Sequence, residues 1–518
     1  MRATFYHRDF SERAVQPKVT LEVGPYRHSV IGGPKMATID VTGSAEEIYR
    51  LVNDLRAPIE IHNDQGDLVW WGYFASLEVY NATYTFGVDL ETMCNRVAVA
   101  YTEQSVRFTT EWSGDDDSIA AYGIKELLLS RSEVTASDAL QSRDVTLANA
   151  KYPTPVLRFR RGTTGRATIT ALGWITTLDW RYYANATGRE GYEETGDGGR
   201  EIGEDDRPVL AQSFQIAATT AWDASSIKLR VWKRGDTSPT DALVVSLKAD
   251  NAGEPGATLA SGQIGADDIS DRAEWLEFVL DAPVTLNPGT TYWVHVARSG
   301  AVAASSYYMV DTNLLAGYPR GLLYLYNTNL GSWGEDIYRA WGDLVFVVVG
   351  TSTTTDQIST LVSSCGQFLE GVIVENASGV DSNPYRKGET TGLYELKKLL
   401  DGGTINNRRL LCEVTPNRML RIYEEPARPE KAKDSHGIDG EGQLVNASRI
   451  LLDKTHCPVG FWCHLEDVVP PSVDFSLVGD PSLFFVDEAE YDPGQENYFV
   501  RATQGQKSAL DIGGAVQG

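Results

Sequence analysis

Polar and apolar positions alternate along most of this chain with a period of two, the spacing of a half-buried strand. PKMATIDVTG (34–43) sets Ala37, Ile39 and Val41 against polar neighbours, and NATYTFGVDL repeats the pattern with Tyr84, Phe86, Val88 and Leu90. Helical spacing is confined to short segments. SAEEIYRLVNDLR (44–56) opens with Ser44 and Glu47 placed as a capping box and lines up Ile48, Leu51, Val52 and Leu55. YGIKELLLS (122–130) and ASDALQSRDVTLANAK (136–151) read as partly helical, whereas RATITALGWITTLDWRYY (166–183) reads as two strand segments broken near Gly173. TTTDQISTLVSSCGQFLE places Ile358, Leu361, Val362, Cys365 and Phe368 on one helical face. GETTGLYELKKLLDGG predicts a second helix, capped by Thr390 or Thr391 and ended by Gly402 and Gly403. RRLLCEVTPNRMLRIYEEP (408–426) is a hairpin turning at Thr415, Pro416 and Asn417.

One ribbon departs from simple alternation. IEIHNDQGDLVWWGYF (59–74) is a hairpin turning at 63–67, yet both faces of its second strand are apolar. Leu68, Trp70 and Phe74 share one face and Val69, Trp71 and Tyr73 the other. A hairpin on a single core needs only one such face. The second requires a cover, either the helix at 44–56 or another polypeptide.

The pattern changes twice along the chain. Residues 184–208 are rich in Gly and charge and read as a flexible linker. From 209 to 350 short strands follow turn signals at regular intervals, as in a β-sandwich. From 351 the helix-and-hairpin style returns. The chain thus divides into 1–183, a β-barrel region with helices; the linker; 209–350, an inserted sandwich; 351–426, two helices plus a hairpin; and 427–518, a C-terminal β region. The fold class is mainly β with a few helices, α+β.

Composition narrows the functions. The 71 acidic and 46 basic residues give a formal net charge of -25, which disfavours phosphate-backbone binding by counterion release. Five cysteines are too few for a disulfide scaffold, the start shows no apolar signal segment, and no apolar run approaches the ~20 residues of a membrane span.

GDLVWWGYF, GWITTLDWRYY, TTTDQISTLVSSCGQFLEGVIVENASG, the GETTGLYELKKLLDGG helix, RRLLCEVTPNRMLRIYEEP and PPSVDFSLVGDPSLFFVDEAEY resemble segments of the tail-tip or baseplate hub proteins of long-tailed bacteriophages. The likeness spans roughly 1–183 and 353–510 in the same order. The inserted segment, through AQSFQI, ADNAGEPGATLASG and VTLNPGTTYWVHV, resembles the choice-of-anchor type of jelly-roll-like β-sandwich. The resemblance implies hub-type β-barrel domains in a structural virion protein. Its subunits would be made in the host cytoplasm and assembled, usually as trimers, into a ring continuing the tail tube. The partners implied are further copies of the chain, distal tail, tube, tip or fibre proteins, genome DNA passing through the lumen, and a host cell-surface glycan met by the sandwich. A six-fold distal tail ring protein and a receptor-binding adhesin acting through the sandwich are the alternatives.

Within that frame Val69, Trp70, Trp71 and Tyr73 are the candidate subunit-interface residues, covered by a neighbouring copy. Tyr324, Tyr326, Asn327 and Trp333 are the candidate glycan-binding residues, because flat rings beside polar groups suit sugar faces, whereas Trp293 in TTYWVHV reads as core. His456, Cys457, Cys463 and His464 have the wrong spacing for a zinc site, and Cys457 and Cys463 read as small packing residues. Asp115, Asp116 and Asp117 lack the alternation of a calcium loop and read as a solvated turn. No nucleophile elbow, phosphate loop or His-Glu-x-x-His motif is present, so neither a catalytic role nor a cofactor is expected.

Overall fold

In a computed structural model the protein is mainly β with a few helices, and its chain forms two compact units. The structure describes residues 1–103, 106–159, 163–193, 196, 198–203, 209–301, 305–313, 318–328, 331–335, 342–375, 380–427, 435–436, 450–452, 459–460, 462–465, 483–493 and 498–503. The first unit comprises Met1–Tyr183, Thr354–Val380 and Glu389–Gly518; the second comprises Ala184–Thr353 and Asp381–Gly388.

The first unit is built on a sheet that runs Arg2–Phe5, Pro58–His62, Leu68–Tyr80, Arg166–Leu172, Ile31–Thr42, Thr20–Ser29 and Leu483–Tyr491 in spatial order. Its first and sixth strands approach each other, so the sheet curls into a half-barrel. Register follows the sequence alternation: Ile39 faces Ile169, and Ile169 in turn faces Leu77, all on the buried side. Ser44 caps the helix Ala45–Arg50 by accepting from the Glu47 amide, and Ile48, Leu51 and Leu55 enter the core from it and the turn that follows.

The ribbon Leu68–Tyr80 lies inside this sheet, and its own chain seals most of both faces. On one side Trp70 and Phe74 are fully buried, and Phe74 meets Phe5 edge-on at 6.1 Å. On the other, Tyr73 is buried beneath Trp174 and Trp180, at 5.2 and 5.7 Å, and both indoles pack on Phe368. Tyr73 is therefore covered by its own chain, and the helix at 44–56 contributes Ile48, Leu51 and Leu55 to the same core. The cover over Tyr73 is the 3-10 turn Trp174–Trp180 together with Phe368, which follows the helix Thr354–Cys365. That turn replaces the second strand predicted for 166–183. Gly173 precedes it because a Cβ there would stand 1.7 Å from the Pro34 carbonyl oxygen. Gly72 is needed for the same reason, 2.2 Å from the Leu172 carbonyl oxygen.

Around this core sit smaller layers. Arg96–Glu103 pairs in parallel with Glu126–Arg131, so the segment predicted as helix at 122–130 is mostly strand, preceded by the short helix Asp116–Tyr122. Asp115 caps that helix, accepting from the Ser118 amide and pairing with Lys151 at 2.8 Å, which accounts for the acidic run. The helix Ala136–Ala150 carries a full capping box at Thr135 and Asp138. Leu410–Val414 and Met419–Glu424 form the predicted hairpin.

The second unit is a sandwich of a seven-stranded and a six-stranded sheet. Leu229, Val231, Phe346 and Val348 of the first face Leu210, Val245, Leu247, Val294 and Val296 of the second across a common core. Residues 184–203 correct the linker expectation. Arg189–Tyr192 pairs with Phe346–Gly350, and Gly198–Ile202 pairs with Ser306–Asn313. Polar sequence suffices there because edge strands are held by backbone bonds and the buried charge is satisfied. Glu190 accepts from Arg320 at 2.7 Å, Tyr318 at 3.1 Å and the Ala217 amide at 2.6 Å. Residues 204–208 lie outside the described residues.

If the ribbon is a core element of its own chain, Trp70→Ala destabilises the first unit by ~3–5 kcal/mol, whereas Val69→Ala costs ~1 kcal/mol or less. Denaturant unfolding of the two variants against the parent measures the difference.

Candidate functional site

The predicted glycan residues gather on the outer face of the sandwich's six-stranded sheet. That sheet runs Glu254–Ile264, Leu243–Asn251, Tyr292–Arg298, Val209–Phe214, Leu323–Asn327 and Ser332–Glu335. Alternation in Tyr292–Arg298 sends Tyr292, Val294 and Val296 into the core and Trp293 and His295 outward. Ala211 pairs with both His295 and Tyr324, and Tyr326 pairs with Trp333, so these side chains share one surface.

The rings form two contact groups on this surface. Trp293 lies 5.1 Å from Tyr324, and Trp333 lies 5.4 Å from Tyr326 and 5.8 Å from His295 in edge-to-face contacts. Trp333 and His295 belong to strands separated by two others, so the indole lies back across the sheet. The floor beneath is small: Ala211 is fully buried, and Ser213 and Ser246 nearly so. Tyr324, Tyr326 and Trp333 remain half-buried, each keeping part of its ring exposed. The side chain of Asn327 lies outside the described residues.

Sequence reasoning left His295 and Lys248 out of this layer and read Trp293 as core. Trp293 is only 2% exposed, but it stands on the outer face rather than in the core, and its Nε1 donates to Asp250 at 2.8 Å. Asp250 also receives the Gly253 amide, so the ADNAGEPG loop spends that carboxylate on structure. Lys248 pairs with Trp293 in register. Burial, aided by the positive charge of Lys248, pulls His295 down to about 4, so the imidazole is neutral near pH 7. The signal was available: the alternation of YWVHV puts Trp293 and His295 opposite three core residues.

The four ribbon candidates separate. Trp70 and Tyr73 belong to the core of the first unit and are unavailable to a partner. Val69 and Trp71 are half-buried and line an open cavity of about 790 Å³ within that unit. The Trp71 indole is fixed there by a 2.9 Å bond to the Val414 carbonyl.

Cys94, Cys365 and Cys412 are free and buried, and burial pushes the last two thiols up to about 12, far from thiolate chemistry. His456 and Cys457 lie outside the described residues, as do the side chains of Cys463 and His464. Among the described residues no group of three or more His, Cys, Asp or Glu side chains is arranged to hold a metal, and no helix is long and apolar enough to cross a membrane.

Neither a protein-family profile nor a curated protein matches the chain. Among solved structures, the Cry4Aa toxin of Bacillus thuringiensis is similar over 57% of this chain and 52% of its own, with 9% identity and a TM-score of 0.17. A family 43 arabinoxylan arabinofuranohydrolase of Bacillus subtilis is similar over 53% and 63%, with 11% identity and a TM-score of 0.16. The 43 kDa tail protein of prophage MuSo2 from Shewanella oneidensis is similar over 57% and 97%, with 10% identity and a TM-score of 0.18. The chain thus spans about half the length of the toxin and less than two thirds of the hydrolase. Likenesses this low establish no shared overall fold.

The lowered His295 pKa has a definite sign. The folded value of about 4 lies below the unfolded value of ~6.5, so the unfolded chain binds the extra proton first. Stability from this group is full above pH ~6.5 and is lost as pH falls towards 4. His295→Asn therefore removes part of the acid-side stability slope in that window, measured by thermal unfolding of variant and parent at matched pH.

Proposed function

We propose that this chain is a structural subunit of a bacteriophage tail, of the tail-tip or baseplate hub type, which acts by assembling with copies of itself into a ring. The observation that carries this reading is an apolar stretch of the first unit that the chain leaves uncovered. Along the helix Ala136–Ala150 and the strand Val156–Arg158, Leu140, Val145, Tyr152, Val156 and Leu157 are exposed, and Phe159 is 89% exposed. That helix buries only Ala139 among its fifteen residues. Exposed apolar side chains are costly in water, and six of them within 140–159 support a surface that another polypeptide covers. The sequence resemblance to hub proteins supplies the kind of assembly, with three copies favoured and distal tail, tube and fibre proteins as neighbours. The acidic balance suits a lumen through which DNA passes without adhering. A six-fold distal tail ring is the nearest alternative and differs in copy number.

A second reading is favoured by the ring layer of the sandwich. Half-exposed Tyr324, Tyr326 and Trp333 over a floor of Ala and Ser residues suit stacking on the apolar face of a sugar. In this reading the sandwich contacts a host glycan while the first unit assembles. No catalytic step is assigned to either unit.

Two experiments separate these roles. Light scattering of the full chain at rising concentration gives a discrete oligomer, and Leu157→Asp with Phe159→Asp shifts it to monomer while circular dichroism stays unchanged. A chain that stays monomeric at high concentration and is missing from virions defeats the assembly reading. For the sandwich, Trp333→Ala lowers retention on a glycan array by about tenfold without altering the oligomer; an array that is blank for the parent chain leaves only the scaffold.

A further inference from the structure

The cavity beside Trp71 has a composition that selects its occupant. Its walls carry Tyr26, His28, Trp71, Tyr423 and Tyr491, and its rim carries Asp64, Asp67 and Glu413. Among the described residues no Lys or Arg side chain lines it. His28 donates through Nε2 to the Val69 carbonyl at 2.9 Å, and burial holds its pKa below the usual range, so it adds no positive charge near pH 7. The amino group of Met1 is engaged by Asp64, and Glu413 accepts from Arg421, which is itself shared with Glu375. Among the described residues the Asp67 carboxylate receives the Asn63 side-chain amide alone, and it is exposed. Asp67 therefore leaves an excess of negative charge at the rim, and the cavity's surface is aromatic.

The rings are held in place before any ligand arrives. Tyr26 packs on Tyr491 at 5.1 Å and on His28 at 6.0 Å, and His28 meets the Trp71 edge at 6.0 Å. The indole is fixed at Val414, and Tyr26 and Tyr491 face each other in register between Thr20–Ser29 and Leu483–Tyr491. A preformed aromatic wall facing carboxylates attracts a cation twice, through the ring quadrupole and through charge-assisted hydrogen bonds. It repels an anion.

We propose that this cavity is a docking site for a guanidinium side chain carried on an extended loop of a partner protein. Arginine fits better than lysine because its planar head stacks on an aromatic face while its fork reaches two carboxylate oxygens. At about 790 Å³ the cavity holds more than one side chain, so backbone of the same loop enters beside the arginine. The inference does not depend on the ring assembly, because the exposed residues at 140–159 take no part in it.

The test uses the full chain and three small probes: acetyl-Gly-Arg-Gly-amide, its Gln counterpart, and chitotriose. Binding is followed by titration calorimetry and by saturation-transfer NMR. The arginine peptide binds in roughly the millimolar range, the glutamine peptide at least ~5-fold more weakly, and chitotriose more weakly still. Asp67→Asn, an exposed loop change, weakens the arginine peptide by ~3-fold or more, as does raising the salt from low to ~0.5 M. Trp71→Phe keeps a ring but loses the bond to Val414 and weakens binding again, with circular dichroism unchanged. Equal binding of the glutamine peptide, or chitotriose binding that ignores Asp67→Asn, overturns the proposal in favour of a neutral or sugar site. The absence of any arginine-dependent signal at tens of millimolar also overturns it.

Discussion

The first unit depends on how one strand with two apolar faces is closed. Leu68–Tyr80 sits between Pro58–His62 and Arg166–Leu172 and cannot leave either face to water without exposing Trp70, Tyr73 or Phe74. The chain solves this with elements far apart in sequence. Trp174 and Trp180 come from the turn after Arg166–Leu172, and Phe368 comes from beyond Ala184–Thr353, the larger segment of the second unit. Segments on both sides of the sandwich therefore fold as one core, and the first unit cannot complete itself until its C-terminal half has arrived. The close approaches at Gly72 and Gly173 follow from the same constraint, since any side chain there would hold the turn away from the rings it must cover.

The sandwich solves a related problem differently. Its six-stranded sheet also has two ring-bearing faces, one in the core and one outside. The outer layer is held by its own mutual contacts over small residues rather than by a third layer of structure among the described residues. A neutral His295 edge-on to Trp333 keeps that layer apolar, with Lys248 as a neighbouring charge. The two units thus differ in what they leave available. The first buries most of its aromatic ribbon and exposes apolar side chains along 140–159; the second exposes part of its aromatic layer and buries Glu190 of Arg189–Tyr192 by bonding.

Much of this was legible in the alternation. The helix Thr354–Cys365 buries Ile358, Leu361, Val362 and Cys365 as its spacing predicts, and Leu410–Val414 pairs with Met419–Glu424 as its turn predicts. What the sequence concealed has physical causes. Trp174–Trp180 alternates like a strand, but the tight packing behind Gly173 tightens it into a 3-10 turn. Residues 184–203 look unstructured by composition, yet edge strands need backbone partners more than apolar side chains. Leu127 to Leu129 reads as helix or strand with equal ease, and parallel pairing with Val97 to Val99 decides it. Tyr73 looked like an interface residue because its cover comes from residues more than a hundred positions away, a distance no local pattern reports.

The chain closes most of its own ribbon, and the proposed assembly runs through the stretch at 140–159. Electron cryomicroscopy of the assembled particle tests this most directly. It should place copies of the chain in a ring at the tail tip, with Leu157 and Phe159 buried between neighbours and with Trp70 and Tyr73 touching only their own polypeptide. A ring joined through the Trp70 ribbon, or a tail in which the chain has no place, would contradict it.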